Sequence, residues 1–326
     1  SRPRKRLAKR VKVMRMQKIG LVGLGGIFQK AYLPYLRGLA GIEWHLFTRN
    51  QEVLSSLAAN LAGSQPYASL EELAAVDLDG VMIHAATQAH VELAKLFLER
   101  GIPVFMDKPL SEDYQEAVAL YHLAQAKGTF LMAGFNRRFA PKVQSLKAQG
   151  DKRRILVEKN DVNRPGDLQF KLFDFFIHPL DTALFLLDDQ PQAAAFAYHL
   201  EGGKLSQVSV TLQSDRSSVV TAMNLQSGSR REIIEVQTPQ ASLQLQNLDE
   251  LTIYQENRET KDGFGSWETT LYKRGFESMV DAYLEALKKG QNPVDPESSL
   301  LSHWICEQIK VAGQSSGTLD LHVPIK

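Results

Sequence analysis

Side chains that can move protons lie in two short segments of the chain. Lys108 follows an apolar run at residues 103–106 and precedes a proline, which restricts its backbone. Asp174, His178 and Asp181 have the spacing i, i+4 and i+7, which lines one face of a helix or of its entry turn. A lysine in a partly dry cleft, and a histidine near a carboxylate, can each exchange a proton with an alcohol or a carbonyl.

These residues also have structural interpretations. A Lys-Pro pair is most often an exposed turn, so Lys108 could have no chemical role. His178 lies among aromatic residues, and a core histidine satisfied by a local carboxylate is an equally good interpretation. Metal binding is a third one for His178, but no other cluster of His or Cys accompanies it, so we predict no metal site.

A glycine-rich turn near the start of the chain resembles a phosphate-binding loop. The apolar strand KIGLV is followed by Gly23, Gly25 and Gly26 and then by a helical pattern. Gly23 permits a tight turn, Gly25 lets a pyrophosphate approach, and the helix start offers free N–H groups. The third small residue of the fingerprint is replaced by Phe28. A plain strand–helix connection is therefore the alternative.

The second strand, at residues 43–48, indicates which nucleotide would bind. A carboxylate that would hold a ribose diol is missing after this strand, where Thr48, Arg49 and Asn50 stand instead. A hydroxyl followed by a guanidinium suits a 2′-phosphate, which favours NADP over NAD, although NAD remains possible. The alternative is that Arg49 is a solvated surface residue.

The pattern of elements predicts two α/β domains. Residues 16–138 contain five or six strand–helix repeats, which predict a doubly wound parallel sheet of the Rossmann type with ligands at the carboxyl ends of its strands. Residues 139–326 form the second, α+β domain. Period-two alternation from about residue 193 to 254 predicts a largely antiparallel open sheet there, and two helices close the chain.

Composition limits the class of protein. The 326 residues are 44% hydrophobic and 23% charged, and no apolar run has the length of a membrane span. Nine of the 38 basic residues fall within residues 1–18, which hold no acidic residue, so the body carries 29 basic against 37 acidic side chains. An acidic body disfavours a nucleic-acid groove. The single cysteine, Cys306, fits a reducing cytoplasm.

The basic segment has several interpretations of its own. We expect residues 1–15 to be a leader that is disordered or non-native, with a nucleic-acid arm or a targeting segment as the alternatives.

Four motifs together resemble the glucose–fructose oxidoreductase / inositol dehydrogenase / MocA family, and within it the MviM-type oxidoreductases. They are the glycine turn at 23–26, DKPL at 107–110, GFNRRF at 134–139 and D-x-x-x-H-x-x-D at 174–181. The resemblance extends from Met16 to the C-terminus. It implies a Rossmann domain, a nicotinamide cofactor over the glycine turn, and a second domain, residues 139–326, that binds substrate and whose open sheet mediates oligomer contacts.

The resemblance also implies roles for single residues. Lys108 matches the catalytic lysine of the family's E-K-P motif, and Asp174 and His178 match the aspartate and histidine of its second motif. His90 matches a histidine near the nicotinamide. The candidate cofactor-binding residues are Gly23, Gly25, Gly26, Ile27, Phe28, Thr48, Arg49, Asn50, Ala86, Thr87, His90, Asp107 and Lys108. The candidate substrate contacts are Asn136, Arg138, Arg164, Asp174 and His178.

The chain departs from the family pattern at two positions. Asp107 stands where the family has Glu, which shortens the reach to a cofactor or backbone partner, and Phe28 stands where Gly or Ala is usual, which alters the seating of the cofactor.

These observations predict an NAD(P)-dependent dehydrogenase or reductase. Hydride would pass between the nicotinamide and a secondary alcohol of a sugar, cyclitol or related polyol. His178 would be the general base or acid, oriented by Asp174, and Lys108 would polarise the same oxygen. We expect a homodimer or homotetramer in the cytoplasm, with no nucleic-acid or membrane partner. A non-catalytic NAD(P)-binding sensor and a purely structural scaffold are the alternatives.

Overall fold

Six parallel strands form the first sheet of the computed structural model, which describes residues 15–324. The strands are β1 (Gln17–Val22), β2 (Ile42–Phe47), β3 (Ser64–Pro66), β4 (Gly80–Ile83), β5 (Val104–Asp107) and β6 (Leu131–Gly134). Their order is β3-β2-β1-β4-β5-β6, with every neighbouring pair parallel. The predicted doubly wound sheet is confirmed. Its order reverses between β1 and β4, so a ligand crevice is expected at their carboxyl ends.

Helices cover both faces of this sheet, which explains why its central strands are apolar throughout. Ile19 and Leu21 of β1 are fully buried. The helices are α1 (Leu33–Leu36), α2 (Gln51–Asn60), α3 (Leu70–Ala74), α4 (His90–Leu98) and α5 (Tyr114–Ala126). A π-helical turn, Phe28–Tyr32, leads into α1, and a 3₁₀ turn, Thr87–Ala89, leads into α4.

A nine-stranded mixed sheet forms the second half of the fold. Its strands are β7 (Arg154–Asn160), β8 (Ala193–Glu201), β9 (Lys204–Gln213), β10 (Ser218–Asn224), β11 (Glu232–Gln237), β12 (Ser242–Gln246), β13 (Glu250–Gln255), β14 (Arg258–Asp262) and β15 (Ser316–Leu319). The order is β14-β13-β12-β11-β7-β10-β9-β8-β15. All neighbouring pairs are antiparallel except β7 with β10, so the predicted largely antiparallel sheet is confirmed.

The remaining helices connect the two sheets. They are α6 (Pro141–Lys147), α7 (Leu168–Lys171), α8 (Ile177–Leu186), α9 (Thr270–Lys273), α10 (Phe276–Lys289) and α11 (Pro296–Val311). A 3₁₀ turn, Asn136–Phe139, precedes α6, and a π-helical turn, Leu172–Phe176, precedes α8. Helix α8 packs on β7 and β10, so it covers one face of the second sheet.

Helices α10 and α11 return to the first sheet. The Tyr283 hydroxyl lies 3.0 Å from the main-chain oxygen of Val81 and 2.8 Å from that of Pro103, and Leu110 N–H donates to His303 Nε2 at 2.9 Å. These buried contacts join the two halves. The division of the chain between residues 138 and 139 stays a prediction.

Two further sequence predictions concern parts of the chain outside these sheets. Residues 1–14 of the predicted basic leader lie outside the described residues. Across residues 15–324, the structure contains no helix that combines the length and the apolar character needed to cross a bilayer.

Candidate active site

A cleft of about 510 Å³ opens at the carboxyl ends of β1 and β4, where the strand order reverses. Gly23 closes one side of it with a φ of 81°, a conformation that favours glycine. A Cβ on Gly23 would lie 2.5 Å from the backbone nitrogen of Ala85. Only glycine therefore lets the two strand ends approach this closely.

Gly25 and Gly26 form the open part of the predicted cradle. A Cβ on either would meet no atom within 4 Å, and Gly25 lines the cleft. The helix that begins next presents amides without intrahelical partners, so the backbone here fits a pyrophosphate.

The ring of Phe28 does not obstruct this cradle. It is fully buried in the core, 5.3 Å from the His84 ring, and does not line the cleft. The Phe28 ring therefore leaves the cradle open, because the π-helical turn aims it into the core, and its effect on the seating of the cofactor stays a prediction. Ile27 is 50% exposed and lies outside the cleft lining as well.

The end of β2 supplies two of the three residues expected there. Thr48 and Arg49 line the cleft, and Thr48 Oγ1 accepts the Leu24 N–H at 3.2 Å. Arg49 is exposed and, within residues 15–324, forms no ion pair. Asn50 caps α2, because its side chain accepts the N–H groups of residues 52 and 53. Asn50 is therefore a helix cap, and its contact with a cofactor stays a prediction.

Eleven residues that line the cleft were not selected from the sequence. They are Val22, Leu24, Phe47, Leu70, Glu71, His84, Ala85, Ala89, Glu92, Leu93 and Leu96. Their apolar members belong to the ordinary core patterns of strands and helices, so no sequence signal distinguishes them.

Of the candidate cofactor-binding residues in the segment after β4, only one lines the cleft. Ala86 lines the cleft, whereas Thr87 faces a separate groove beside Glu112. His90 is buried, with Nδ1 2.8 Å from the Pro109 oxygen and Nε2 3.0 Å from the Ala85 oxygen. Both ring nitrogens contact backbone, so the expected contact of His90 with a cofactor is wrong. The ring instead ties the end of β4 to the turn after Lys108.

The Asp107 carboxylate is bonded to other side chains of the protein. It contacts the Tyr32 hydroxyl and lies 2.9 Å from His84 Nδ1. Its predicted contact with the cofactor is therefore replaced by bonds that fix the end of β5, and the next residue along the chain is Lys108.

Lys108 meets the segment that carries Asp174. Its ammonium group donates to the main-chain oxygen of Asp174 and lies 3.8 Å from Oδ1 of the same residue. The Lys108 side chain is only 15% exposed. Burial lowers the pKa of Lys108, Asp174 opposes this shift, and Arg137 adds to it. A lysine whose pKa is lowered can gain and lose a proton more readily near neutral pH.

His178 is bonded to an arginine that the sequence analysis did not select. Arg137 Nη1 lies 2.7 Å from His178 Nδ1, and the same guanidinium binds both carboxylate oxygens of Glu232. Arginine can only donate, so Nδ1 accepts and the neutral ring carries its proton on Nε2. Within residues 15–324 Asp174 makes no hydrogen bond to His178, so the expected orientation by Asp174 is wrong.

Positive charge surrounds the imidazole. Burial holds the pKa of His178 well below its ordinary range, and Lys108, Arg137 and Lys159 lower it further. The neutral ring is therefore the stable form. Its Nε2–H has no protein partner in the part of the chain that the structure describes.

Two of the residues predicted to contact the substrate are hydrogen-bonded to other groups of the protein. Arg138 is buried and donates to both oxygens of Asp181 at 2.7 and 2.8 Å, and Asn136 donates to the Arg274 main-chain oxygen at 2.8 Å. Both predictions are wrong, because neither polar group is open to a ligand. Arg164 lines a separate cleft with Lys159.

Metal ligands do not converge in the described residues. Residues 15–324 contain no group of three or more His, Cys, Asp or Glu side chains arranged to hold a metal ion.

Comparisons with known proteins match both halves of the chain. The "Oxidoreductase family, NAD-binding Rossmann fold" matches residues 17–135, and a "YceM-like, C-terminal domain" matches residues 141–256. The chain is 34% identical over 301 residues to YceM from Salmonella typhimurium, which covers 88% of this chain and 93% of that protein. Inositol 2-dehydrogenase from Rhizobium meliloti is 26% identical over 242 residues, covering 67% and 72% of the two chains.

A solved structure agrees over most of the chain. The dehydrogenase MviM from Clostridium difficile superposes with a TM-score of 0.86 at 29% identity, covering 91% of this chain and 99% of that one. The motif resemblance is thus confirmed, and the chain belongs to the Gfo/Idh/MocA family of NAD-binding oxidoreductases.

Proposed function

We propose that this oxidoreductase interconverts a secondary alcohol and a carbonyl on a sugar, cyclitol or related polyol. The observation that carries the proposal is that Lys108, which follows β5 of the first sheet, binds Asp174 one helical turn before His178, and that its charge acts on the His178 ring. The similarity to an inositol dehydrogenase supports the substrate class. The presence of Lys108, Asp174 and His178 together favours an enzyme over a non-catalytic sensor, which needs none of them.

NAD(P) fits the first cleft. The amides around Gly25 would hold the pyrophosphate, Thr48 and Arg49 would hold the adenosine ribose, and Ala86 would line the path toward the reacting end. When bound, the nicotinamide supplies the hydride chemistry of the reaction. The chain's own residues must then position the substrate oxygen and move its proton.

Lys108 is the group proposed to move that proton. Its amine, with a lowered pKa, accepts the hydroxyl proton during oxidation and returns it during reduction. His178 donates a hydrogen bond from Nε2 to the same oxygen. These roles are the reverse of those expected from the sequence, in which His178 transferred the proton and Lys108 polarised the oxygen. The reason is that Arg137 already occupies Nδ1 of His178 and that nearby cations oppose a charged imidazole.

Preference for NADP is a further part of the proposal. The support is the exposed Arg49 side chain at the ribose end of the cleft. Its planar fork suits a 2′-phosphate, and no carboxylate follows β2 to bind a ribose diol.

Assembly through the second sheet is also proposed. Helix α8 covers the face that carries Ile155 and Val219, so period-two alternation leaves Leu156, Val220 and Ile233 on the opposite face, half-buried. A second copy placed there would form a homodimer or, with a further pair, a homotetramer. Light scattering on the Val220→Lys protein tests this: a charge in the interface gives a smaller particle than the wild type.

A cytoplasmic location is proposed from cysteine chemistry. The only cysteine, Cys306, is buried and unpaired, which suits a reducing compartment. Fractionation of cells that express the native gene would test this.

Turnover with a polyol panel tests the main proposal. The full-length chain is mixed with NADP or NAD and with sugars and cyclitols, and the formation of reduced cofactor is followed by absorbance. We expect turnover with at least one member of the panel. Cofactor binding without turnover on any member would favour the sensor.

A further inference from the structure

Lys159 on the second sheet does not pair with the glutamate that lies opposite it on the neighbouring strand. Lys159 and Glu232 are directly opposite across β7 and β11, where oppositely charged residues ordinarily pair. The Glu232 carboxylate binds Arg137 instead. Among the residues that the structure describes, no carboxylate oxygen lies within 4.0 Å of the Lys159 ammonium, which lies 3.5 Å from the centroid of the Phe175 ring.

The cleft that contains Lys159 is strongly positive. It has a volume of about 320 Å³, and its charged lining residues are Lys159, Arg164, Arg230, Arg274, Asp161 and Glu232. Asp161 lies 2.9 Å from Arg230 and 4.0 Å from Arg164. Because Glu232 is neutralised by Arg137 from outside the lining, four cations face one available carboxylate.

Two links join this cleft to the proposed catalytic groups, one along the chain and one through hydrogen bonds. Phe175 follows Asp174, which binds Lys108. Glu232 is linked through Arg137 to His178. Lys159 is also close enough to Lys108 and His178 for their charges to interact, so a ligand held by those two residues lies near this cleft.

We propose that this cleft binds an anionic group, carboxylate or phosphate, carried by the polyol substrate. The inference rests on the proposed function, since it assigns the substrate class of the same site: acidic polyols rather than neutral ones. Of the four cations that line the cleft, Lys159 and Arg274 are the two without a carboxylate partner within 4.0 Å in the described chain, so they supply the main attraction for the anion. Asn136 supports the site by holding the Arg274 main chain at 2.8 Å.

The protonation of Lys159 agrees with this role. Burial lowers its pKa to about 7, and Arg137 and Lys108 act in the same direction against Glu232 and Asp174. An anion bound beside the ammonium group would favour its charged form and offset the repulsion from the other cations.

Calorimetry with a matched panel tests the proposal. The full-length chain with saturating NADPH or NADH is titrated with neutral sugars and cyclitols, with their uronates and aldonates, and with their phosphates. We expect at least one carboxylate or phosphate to bind about tenfold or more tightly than its neutral parent, because charge-assisted hydrogen bonds to ligands commonly have this effect. The carboxylate and phosphate arms distinguish the two sources of negative charge.

Variants of the cleft give the second readout. Lys159→Met and Arg274→Gln should each remove most of the preference for the anion, while Lys159→Arg should retain it. Lys261→Met removes an exposed lysine outside the cleft and should leave the preference unchanged. Circular dichroism would show whether each variant is folded.

The outcomes separate this inference from the proposed function. Neutral members that bind as tightly as their anionic counterparts, or the absence of any anion binding, would overturn the acidic substrate class. Turnover of neutral polyols alone would also overturn the acidic substrate class, but it would support the proposed polyol dehydrogenase activity. Tight anion binding without turnover would support the cleft and count against the dehydrogenase.

Discussion

Arg137 Nη1 donates a hydrogen bond to Nδ1 of His178 across 2.7 Å. Since a guanidinium cannot accept, this contact places the proton of the neutral imidazole on Nε2. It also brings a permanent positive charge next to the ring, which adds to burial and to the charge of Lys108 in holding the pKa of His178 well below its ordinary range. The histidine is thereby prepared to donate a hydrogen bond, and in the proposed mechanism Lys108 exchanges the proton.

The tautomer of His178 can be observed directly. Ring-nitrogen chemical shifts of ¹⁵N-histidine-labelled protein should show an Nε2–H imidazole at pH 7. In Arg137→Met the removal of the cation should raise the pKa of His178. Loss of one partner from a buried pair with Glu232 should also cost about 3–5 kcal/mol of stability. The double variant Arg137→Met/Glu232→Gln should recover much of that loss, and a wild-type signal from the Nδ1–H tautomer would refute the assignment.

Asp174 should control the pH dependence of the reaction. Its carboxylate, 3.8 Å from Lys108 Nζ, raises the pKa of that lysine against the effect of burial. Asp174→Asn removes this effect, so the pKa of Lys108 falls and its basic form prevails at lower pH. In the oxidation direction the rising limb of kcat/KM against pH should therefore move toward acid. A limb that stays in place, or moves toward alkali, would show that Asp174 does not tune Lys108.

Two glycines of the first turn should behave differently when changed to alanine. Gly23→Ala places a Cβ 2.5 Å from the Ala85 backbone nitrogen at a φ of 81°, so the melting temperature should fall by several degrees. Gly25→Ala meets no atom within 4 Å and should melt like the wild type. Fluorescence titration with NADPH should nevertheless show weaker binding to Gly25→Ala, because its methyl group enters the space proposed for the pyrophosphate. Unchanged affinity would place the phosphates elsewhere.

Arg49 should decide between the two dinucleotides. Arg49→Gln should weaken NADP binding about 10- to 100-fold through the loss of charge-assisted bonds to the 2′-phosphate, with little effect on NAD. Arg37→Gln changes an exposed arginine outside the cleft and serves as the control. Equal losses for both cofactors would mean that Arg49 does not read the 2′-phosphate.

The first sheet could be predicted from local patterns, while the centre of the second could not. Every strand of the first sheet except β3, which reads SQP, contains a short apolar run, and Gly23 marks the first turn. β7 has only a brief alternation, and its neighbours β10 and β11 lie far along the chain. Its central position depends on this distant pairing, which residue patterns do not reveal.

The candidate site shows the same limit at the scale of single side chains. The motif at residues 134–139 indicated the correct segment, and Arg138 was selected from it. The neighbouring Arg137 is the residue that reaches His178, because successive side chains of a 3₁₀ turn point about 120° apart. Glu232 begins β11 and carries no signal until the fold places it against Arg137.

Proton transfer by Lys108 is tested most directly by comparing Lys108→Arg with Lys108→Met on the substrate found by the polyol panel. Arginine keeps the positive charge but cannot lose a proton, so we expect both variants to lose about 10²- to 10⁴-fold in kcat while they still bind cofactor. Lys95→Met, an exposed lysine on α4, should keep wild-type turnover. Substantial rescue by Lys108→Arg would contradict the account, because it would reduce the role of Lys108 to electrostatic attraction.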